Sequence, residues 1–211
     1  ALGLADGQPV WVAPLGKAAR PPVVEAPPLH AGGRLYVGDH DGVLWCLSAQ
    51  NGEVLWQYKT GDKIVGAAAV VGQGELLRIL VGSHDERLHG LDAAGQGRFT
   101  YETSGYVNGT PAVSGGNAVF GGCDGQLHVV AVGDGKKIAA FDVGSYVAAS
   151  AAIVDGRAYL GHHAGHVVCI DIASGDRGWQ DGAGEFPCFS SPAVDATRVV
   201  IGGRDKRVHA S

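Results

Sequence analysis

The sequence predicts an all-β fold, a β-propeller built from four-stranded antiparallel sheets, or blades. Three observations lead to this prediction. A unit of about 40 residues repeats five times along the chain. Short polar turns separate runs of alternating apolar residues, and glycine is unusually frequent, at 35 of 211 residues. Because no Gly-X-Y period accompanies the glycines, they indicate many tight turns and not a collagen-like helix.

The composition is that of a globular chain, with 45% hydrophobic and 18% charged residues. A formal net charge of -5 argues against a nucleic-acid-binding surface, which is normally basic. The sequence contains no apolar run of about 18 residues, so no membrane-spanning segment is expected. The chain begins at Ala1, contains no Met and stops inside a repeat. We therefore expect the natural protein to extend beyond both ends.

The first landmark of the repeat is a glycine that closes the middle strand. Consecutive glycines are 44, 39, 40 and 41 residues apart, and they are Gly38, Gly82, Gly121, Gly161 and Gly202. A polar turn follows each one, with Asp at its third position in four of the five units. Asp bonds its own backbone and Gly adopts positive φ, so both favour reversals. The pattern predicts a hairpin at each position.

The strand after each turn alternates in polarity, as in residues 43–47 and 126–130. One apolar column runs through all five units, at Leu44, Leu88, Leu127, Val167 and Val208. Alternation with a period of two is the pattern of a half-buried strand. Small residues begin each inner strand, and three of these segments contain Pro, which fits a strand at a sheet edge.

An aromatic residue four positions after a turn glycine marks the outer strand of most units. We expect these residues to pack one blade against the next, and they are Trp11, Trp56, Phe99 and Trp179. Ala139 occupies the same position in the fourth unit. The contact between blades is therefore expected to be weakest there.

We expect one domain, residues 1–211, with units at approximately 4–49, 50–93, 94–132, 133–172 and 173–211. Each unit begins with its outer strand. In a closed ring, the strand around Trp11 would complete the sheet that ends at His209. Five blades can close, but a sector of a larger ring fits the abrupt ends equally well. A β-helix or open solenoid is the structural alternative.

These landmarks resemble the pyrroloquinoline-quinone-like propeller repeat, whose unit reads Asp-Gly-x-Leu-x-Ala-Leu-Asp-Ala-x-x-Gly-x-x-x-Trp, followed by Ser-Ser-Pro. Residues 50–58 and 189–192 match it best. Members usually have seven or eight blades, so the resemblance implies a sector of such a ring. The family includes quinoprotein alcohol dehydrogenases, a scaffold lipoprotein of outer-membrane assembly, and bacterial envelope or secreted proteins, and the repeats look most like this last group. The resemblance thus implies an extracytoplasmic location.

The quinone enzymes of this family hold their cofactor against a disulfide between adjacent cysteines, with a calcium ion. The four cysteines here are Cys46, Cys123, Cys169 and Cys188, and no two are adjacent. We expect four free thiols and no cofactor. Cys46 and Cys169 share one strand column three units apart, which is too far for a disulfide, and are interpreted as small buried hydrophobes.

The nine histidines raise the question of a metal site. The second turn position of the five units carries His40, His84, Cys123, His163 and Arg204. These side chains should be spread around a ring, whereas zinc ligands must converge to about 2 Å from one point. The one local cluster is His162, His163 and His166, and a polar hairpin explains it better. A further column, His89, His128 and His209, is explained by packing between blades or by exposure.

The segments leading into the inner strands differ most between units. Their loops should surround the axial funnel, and the candidate binding residues there are Glu25, Lys63, Tyr106, Asn108, Tyr146 and Phe189. Neutral variation is the alternative explanation. No nucleophile elbow, phosphate loop or zinc-protease motif is present.

Three hypotheses for the function follow. The preferred one is a non-catalytic scaffold that binds a protein or a small ligand. The second is the propeller portion of a quinone-dependent dehydrogenase, which would require an adjacent cysteine pair. The third is the sensor portion of a larger signalling protein, which would require a kinase or membrane segment elsewhere in the parent chain.

Overall fold

A computed structural model describes residues 1–16, 19–182 and 186–210. Within these ranges the chain forms nineteen strands in five antiparallel sheets and one short 3₁₀ turn, Gly74–Leu76. No helix in the described ranges is long and apolar enough to cross a membrane. The prediction of an all-β propeller is confirmed.

The first sheet contains β1–β4, at Leu29–Ala31, Arg34–Gly38, Val43–Ser48 and Val54–Lys59. The second contains β5–β8, at Ala69–Val71, Arg78–Gly82, Arg87–Leu91 and Gly97–Glu102. The third contains β9–β12, at Ala112–Ser114, Asn117–Gly121, Gln126–Ala131 and Lys137–Asp142. The fourth contains β13–β16, at Ala152–Val154, Arg157–Gly161, His166–Asp171 and Arg177–Gly182. The fifth contains β17–β19, at Ala193–Val194, Val199–Gly202 and Val208–Ala210.

The strands of each sheet follow one another in sequence order and pair antiparallel. A four-stranded sheet therefore takes its inner three strands from one sequence repeat and its outer strand from the next. The outer strand of the first four sheets joins its neighbour with a register shift, for example between Cys46 and Leu47. Such a bulge increases the local twist of the outer strands.

The hydrophobic core lies between neighbouring sheets. One cluster joins Tyr36 and Leu44 of the first sheet to Ile79 and Leu91 of the second. Similar clusters join the second sheet to the third, the third to the fourth and the fourth to the fifth. The second, third and fourth sheets are thereby buried on both faces, which a single isolated sheet cannot achieve.

The repeated glycine of the middle strand is required by the approach of the next blade. A Cβ added at Gly38 would lie 2.2 Å from Ile64 Cγ2, and one added at Gly82 would lie 2.4 Å from Val107 Cγ1. Ile64 and Val107 are fully buried in the segments that lead into the next inner strands. The glycine column therefore marks the contact between consecutive blades.

The polar turns after these glycines have the predicted chemistry. The fourth turn residue has a positive φ in all five hairpins: Gly42, Glu86, Gly125, Gly165 and Lys206. The Asp124 and Asp205 carboxylates accept backbone N–H bonds from within their own turns. In the first sheet Asp39 takes this part, because its carboxylate accepts the Val43 N–H at 2.8 Å.

Residues 1–16 contain one isolated bridge, between Leu2 and Pro9, and no strand forms around Trp11. Within the described residues, β19 pairs with β18 alone. In the described chain, therefore, the Trp11 segment does not pair with the sheet ending at His209, a pairing that was expected only for a closed ring. Trp11 instead lies against Gly52 of the first sheet.

Candidate functional site

The six candidate binding residues lie at the end of the sheets that carries the β2–β3 type of turn. A repeated backbone hydrogen bond fixes each segment there. His84 N–H donates to Lys63 O at 3.0 Å, and the equivalent bonds join Cys123 to Tyr106 and His163 to Tyr146. Each segment leading into an inner strand is thereby held against the second turn residue of its own unit.

The structure separates the six residues into two rows, where the sequence suggested one column. Lys63, Tyr106 and Tyr146 carry the carbonyl that accepts the repeated bond. The other three residues, Glu25, Asn108 and Phe189, belong to the position two residues later. In the second to fifth units, the residue between the two rows is buried against the glycine of the preceding blade. Because alternate residues of an extended segment point the same way, both rows face outward.

Aromatic and imidazole rings stack in two places along this surface. The rings of His84 and Tyr106 lie 4.3 Å apart and are nearly parallel. The rings of Tyr146 and His163 lie 4.1 Å apart, also stacked. Tyr106 is 46% exposed and Tyr146 is 37% exposed, so each stack leaves an apolar ring accessible to a partner.

The second stack continues to the fifth sheet. The Phe189 ring lies 5.6 Å from the His163 ring, and the Arg204 guanidinium lies 4.4 Å above Phe189. A guanidinium over an aromatic face is a cation–π contact. Tyr146, His163, Phe189 and Arg204 thus form a continuous row of ring faces that ends in a cation.

The other end of the surface is polar. His40 Nε2 lies 2.9 Å from a carboxylate oxygen of Glu25. The pKa of His84 is lowered, first by burial and then by the nearby Lys63 ammonium. The His84 ring is therefore neutral near pH 7, which suits its stack with Tyr106.

Asn108 lies between the row of rings and the polar end of this surface. Its Nδ2 lies 3.4 Å from Cys123 Sγ, and its side chain also interacts with His84, which opposes part of the lowering of the His84 pKa. Burial, followed by the charge of Asp124, raises the pKa of Cys123, so this side chain is a thiol and not a thiolate.

We refer to these residues as the axial surface: Glu25, His40, Lys63, His84, Tyr106, Asn108, Cys123, Tyr146, His163, Phe189 and Arg204. The second turn residue of each unit lies beside the segment that leads into the inner strand of that unit. Sequence analysis considered these turn residues only as metal ligands. Their shared position in the repeat was the sequence signal that these turn residues lie on one surface.

The residues proposed to join blades take part in contacts across sheets. The Trp11 and Trp56 indoles donate to Ala49 O and Ala93 O, each at 3.2 Å. Phe99 lies against Gly135 of the third sheet. Trp179 packs on the cluster that contains Val199 and Ile201 of the fifth sheet.

The fourth unit also has an aromatic contact between blades, although Ala139 occupies the aligned position. A Cβ added at Gly175 would lie 2.3 Å from the Phe141 ring, so Phe141 fills the space against the fourth sheet. Phe141 is two residues after Ala139 on β12, and alternate residues of a strand share a face. That alternation was the sequence signal, although the aligned position showed only alanine.

The histidine column of the alternating strands forms hydrogen-bonded chains. His89 Nε2 lies 2.9 Å from the Asp85 carboxylate, and its Nδ1 lies 3.1 Å from Tyr58 Oη of the preceding sheet. His128 repeats this arrangement with Asp124 and Tyr101 at 3.0 Å each. Burial lowers the pKa of both histidines, despite the nearby carboxylates. The recurring Asp-x-x-x-His spacing was the sequence signal for these chains.

The remaining histidine cluster does not assemble a metal centre. The rings of His162 and His166 lie 5.4 Å apart, and His162 Nδ1 accepts the Ala164 N–H. Across residues 1–16, 19–182 and 186–210, no three His, Cys, Asp or Glu residues converge as metal ligands.

The cysteines do not fit a quinone site. They are free thiols on separate parts of the fold: Cys46 on β3, Cys123 in a turn, Cys169 on β15 and Cys188 before β17. None of them lies beside another in sequence, so the adjacent pair that the quinone enzymes use is not supplied by these residues.

Five consecutive antiparallel sheets with this repeat define a β-propeller of the pyrroloquinoline-quinone-like type. The chain belongs to the family described as outer membrane protein assembly factor BamB, whose sequence profile matches residues 66–211. This match includes four of the five sheets in whole or in large part.

Individual proteins give the same result. The chain is 28% identical over 185 residues to an outer membrane protein assembly factor BamB of Nitrosomonas eutropha, covering 84% of this chain and 43% of that protein. The crystal structure of BamB from Moraxella catarrhalis superposes with a TM-score of 0.76 at 20% identity, covering 90% and 58% of the two chains. The chain thus spans about half the length of these relatives.

A shorter match joins part of the chain to an enzyme. The chain is 37% identical over 89 residues to the beta-alanine-activating enzyme of Danio rerio, covering 40% of this chain and 8% of that protein. So small a share of the enzyme shows a similar repeat and carries no argument about its activity.

Proposed function

We propose that this chain is a non-catalytic propeller sector that binds another protein through its axial surface, in the assembly of outer membrane proteins in the bacterial envelope. The family membership and the name of the Nitrosomonas relative support this context. The observation that carries the proposal is the row of ring faces and one cation, Tyr146, His163, Phe189 and Arg204, across two sheets.

This row has the composition of a protein-binding surface. Exposed aromatic rings and arginine dominate the energetics of protein interfaces because they bury large areas with few rotatable bonds. The rings are held by stacking and by backbone hydrogen bonds, so little conformational entropy is lost on binding. The surface is also shared by several blades, which suits a partner that contacts more than one of them.

Site-specific photocrosslinking in the natural full-length protein tests the proposal. A photoreactive phenylalanine is placed at Tyr106 or at Tyr146, and at Leu55 or Ile138 as controls. The control side chains are exposed on outer strands, at 46% and 59%. We expect a discrete adduct with an outer-membrane assembly protein from the axial positions only. Equal crosslinking from the outer-strand positions, or none from the axial ones, would contradict the proposal.

Complementation provides a second test in cells lacking the native protein. We expect the double substitution Tyr146→Ala and Phe189→Ala to reduce the amount of folded outer membrane protein, whereas Leu55→Ala and Ile138→Ala restore it fully. Thermal unfolding of each variant distinguishes loss of binding from loss of folding. Full complementation by the axial double variant would exclude this surface.

The dehydrogenase and sensor hypotheses remain separate proposals about the parent protein. For the dehydrogenase, the described residues supply no adjacent cysteine pair. A sensor function depends on domains outside this chain. Neither has a specific observation in the structure that favours it.

A further inference from the structure

A cleft lies at the opposite end of the strands from the axial surface, partly between the first and second sheets and partly on the second sheet alone. The β5–β6 connection builds one wall of it. This connection has six residues, 72–77, whereas the β1–β2 and β9–β10 connections have two each. The additional residues account for the long spacing of 44 between Gly38 and Gly82, and they include the 3₁₀ turn Gly74–Leu76.

The cleft has two compartments of about 470 Å³ each, which meet at Gly74 and Ala93. The first is lined mainly by apolar groups, among them Ala31, Tyr36, Val70 and Leu77. The second is lined by charged side chains: Glu75, Arg78, Asp92 and Arg98. A ligand that fits both compartments has an apolar part beside an ionic part.

Arg78 is held rigidly at the boundary. Its Nη1 donates to Glu75 O and Leu77 O, both at 2.9 Å, so the guanidinium has one orientation. Its Nε–H is buried and has no acceptor. A buried donor without an acceptor is unfavourable, and a guanidinium pairs best with a carboxylate or phosphate. The positioned Arg78 guanidinium lines the charged compartment, where it favours an anionic group.

The other charges of the cleft also favour an anionic ligand. Arg34 Nη1 donates to Ala93 O at 2.5 Å, which places a second guanidinium at the junction. Arg98 pairs with Asp92 at 2.6 Å, so the Asp92 carboxylate is already neutralised. Arg34, Arg78 and Arg98 outnumber the two carboxylates of the lining.

We propose that this cleft binds an acidic peptide segment of another protein. A Glu or Asp carboxylate pairs with the Arg78 guanidinium in the charged compartment, and a neighbouring apolar side chain occupies the compartment beside Tyr36, Val70 and Leu77. The cleft is open along both compartments, so an extended chain can cross it. This site is separate from the axial surface and does not depend on its function.

Calorimetric titration of the chain with two acetylated, amidated peptides tests the proposal: Leu-Glu-Leu-Glu and its neutral match Leu-Gln-Leu-Gln. We expect saturable binding of the acidic peptide and at least tenfold weaker binding of the neutral one. In nuclear magnetic resonance spectra, the amides of Gly72, Gly74 and Ala93 should shift on titration. Free acetate and a fatty acid, added as competitors, show whether a carboxylate or an apolar tail alone suffices.

Matched arginine variants locate the site. Arg78→Gln should weaken binding of the acidic peptide at least tenfold, and Arg98→Gln should weaken it less. Arg87→Gln serves as the control, because Arg87 is paired with Glu102 on β8, away from the cleft. If Arg78→Gln is unstable, Leu77→Glu places a like charge in the apolar compartment and should also abolish binding. Equal binding of the two peptides, displacement by acetate or fatty acid alone, or unchanged binding by Arg78→Gln would overturn the proposal.

Discussion

Tyr58 Oη lies 3.1 Å from His89 Nδ1, and this hydrogen bond joins the outer strand of the first sheet to the third strand of the second. Burial, followed by the charge of Asp85, raises the pKa of Tyr58, so its hydroxyl stays protonated and donates. The His89 Nε2–H then donates to Asp85. Every group in this chain has a partner when the imidazole is neutral, and Tyr101, His128 and Asp124 repeat it between the next two sheets.

Removing the tyrosine hydroxyl should destabilise the contact between these blades. Tyr58→Phe leaves the buried His89 Nδ1 without a donor, and we expect a loss of about 1 to 2 kcal/mol in the free energy of unfolding. Tyr106→Phe is the matched control, because Tyr106 makes a ring contact on the axial surface and is 46% exposed. Denaturant unfolding measures both. Equal stability of Tyr58→Phe and the wild type would show that this bond contributes nothing.

Stability should fall as the solution becomes more acidic. The pKa values of His89 and His128 are lowered by burial, so the unfolded chain takes up protons near pH 6.5 while the folded chain does not. The unfolded state therefore binds more protons in this range, and the free energy of unfolding decreases below about pH 6.5. Hydrogen bonds from Gly61 and His89 outweigh burial and hold the pKa of Asp85 below its usual value, which extends the same trend below about pH 4.

Thermal unfolding between pH 8 and pH 5 tests this dependence. We expect the melting temperature to fall steadily below pH 6.5, and the slope to be reduced in the double variant His89→Gln and His128→Gln. A melting temperature that is flat or rises on acidification would contradict the assignment of neutral histidines.

Replacing Gly95 with alanine should lower the free energy of unfolding by more than its backbone conformation alone explains. Gly95 and Gly116 both have a φ of +79°, so alanine is strained at either position. A Cβ at Gly95 would lie 2.5 Å from the Trp56 indole, whereas nothing lies within 4 Å of one at Gly116. We expect Gly116→Ala to cost about 1 kcal/mol and Gly95→Ala to cost at least twice that.

Tryptophan fluorescence together with denaturant unfolding distinguishes the two glycine variants. Gly95→Ala should alter the emission of the folded state because Trp56 is displaced, and Gly116→Ala should not. Equal losses of stability with unchanged emission would mean that the packing of Trp56 against Gly95 is unimportant.

Pyrroloquinoline quinone with calcium should not stabilise the natural full-length protein. A ligand that binds the native state raises the melting temperature in a concentration-dependent way. The cysteines of this chain lie on separate parts of the fold, and we expect no saturable shift in scanning fluorimetry. A quinoprotein dehydrogenase, measured in parallel, is the positive control. A clear rise in melting temperature would revive the dehydrogenase hypothesis.

The blade and its repetition could be predicted from the amino-acid sequence. A glycine is needed wherever Ile64 or Val107 of the next blade approaches, and an apolar residue is needed wherever a strand faces the core. These requirements act at one position in every unit, so they leave a visible column. The turn chemistry is equally local, since it depends on a few consecutive backbone angles.

The tertiary structure alone decided which side chains meet between blades. Phe141 takes the place that the aligned Ala139 leaves open, because both face the same side of β12. The chain from Tyr58 through His89 to Asp85 lies within one sequence repeat but joins two sheets, because the outer strand of that repeat pairs with the preceding sheet. Alignment of the repeats compares equivalent positions, whereas these contacts depend on the stagger and twist of one sheet against the next. That geometry is set by packing across the whole interface between blades, and it has no signature at any one position.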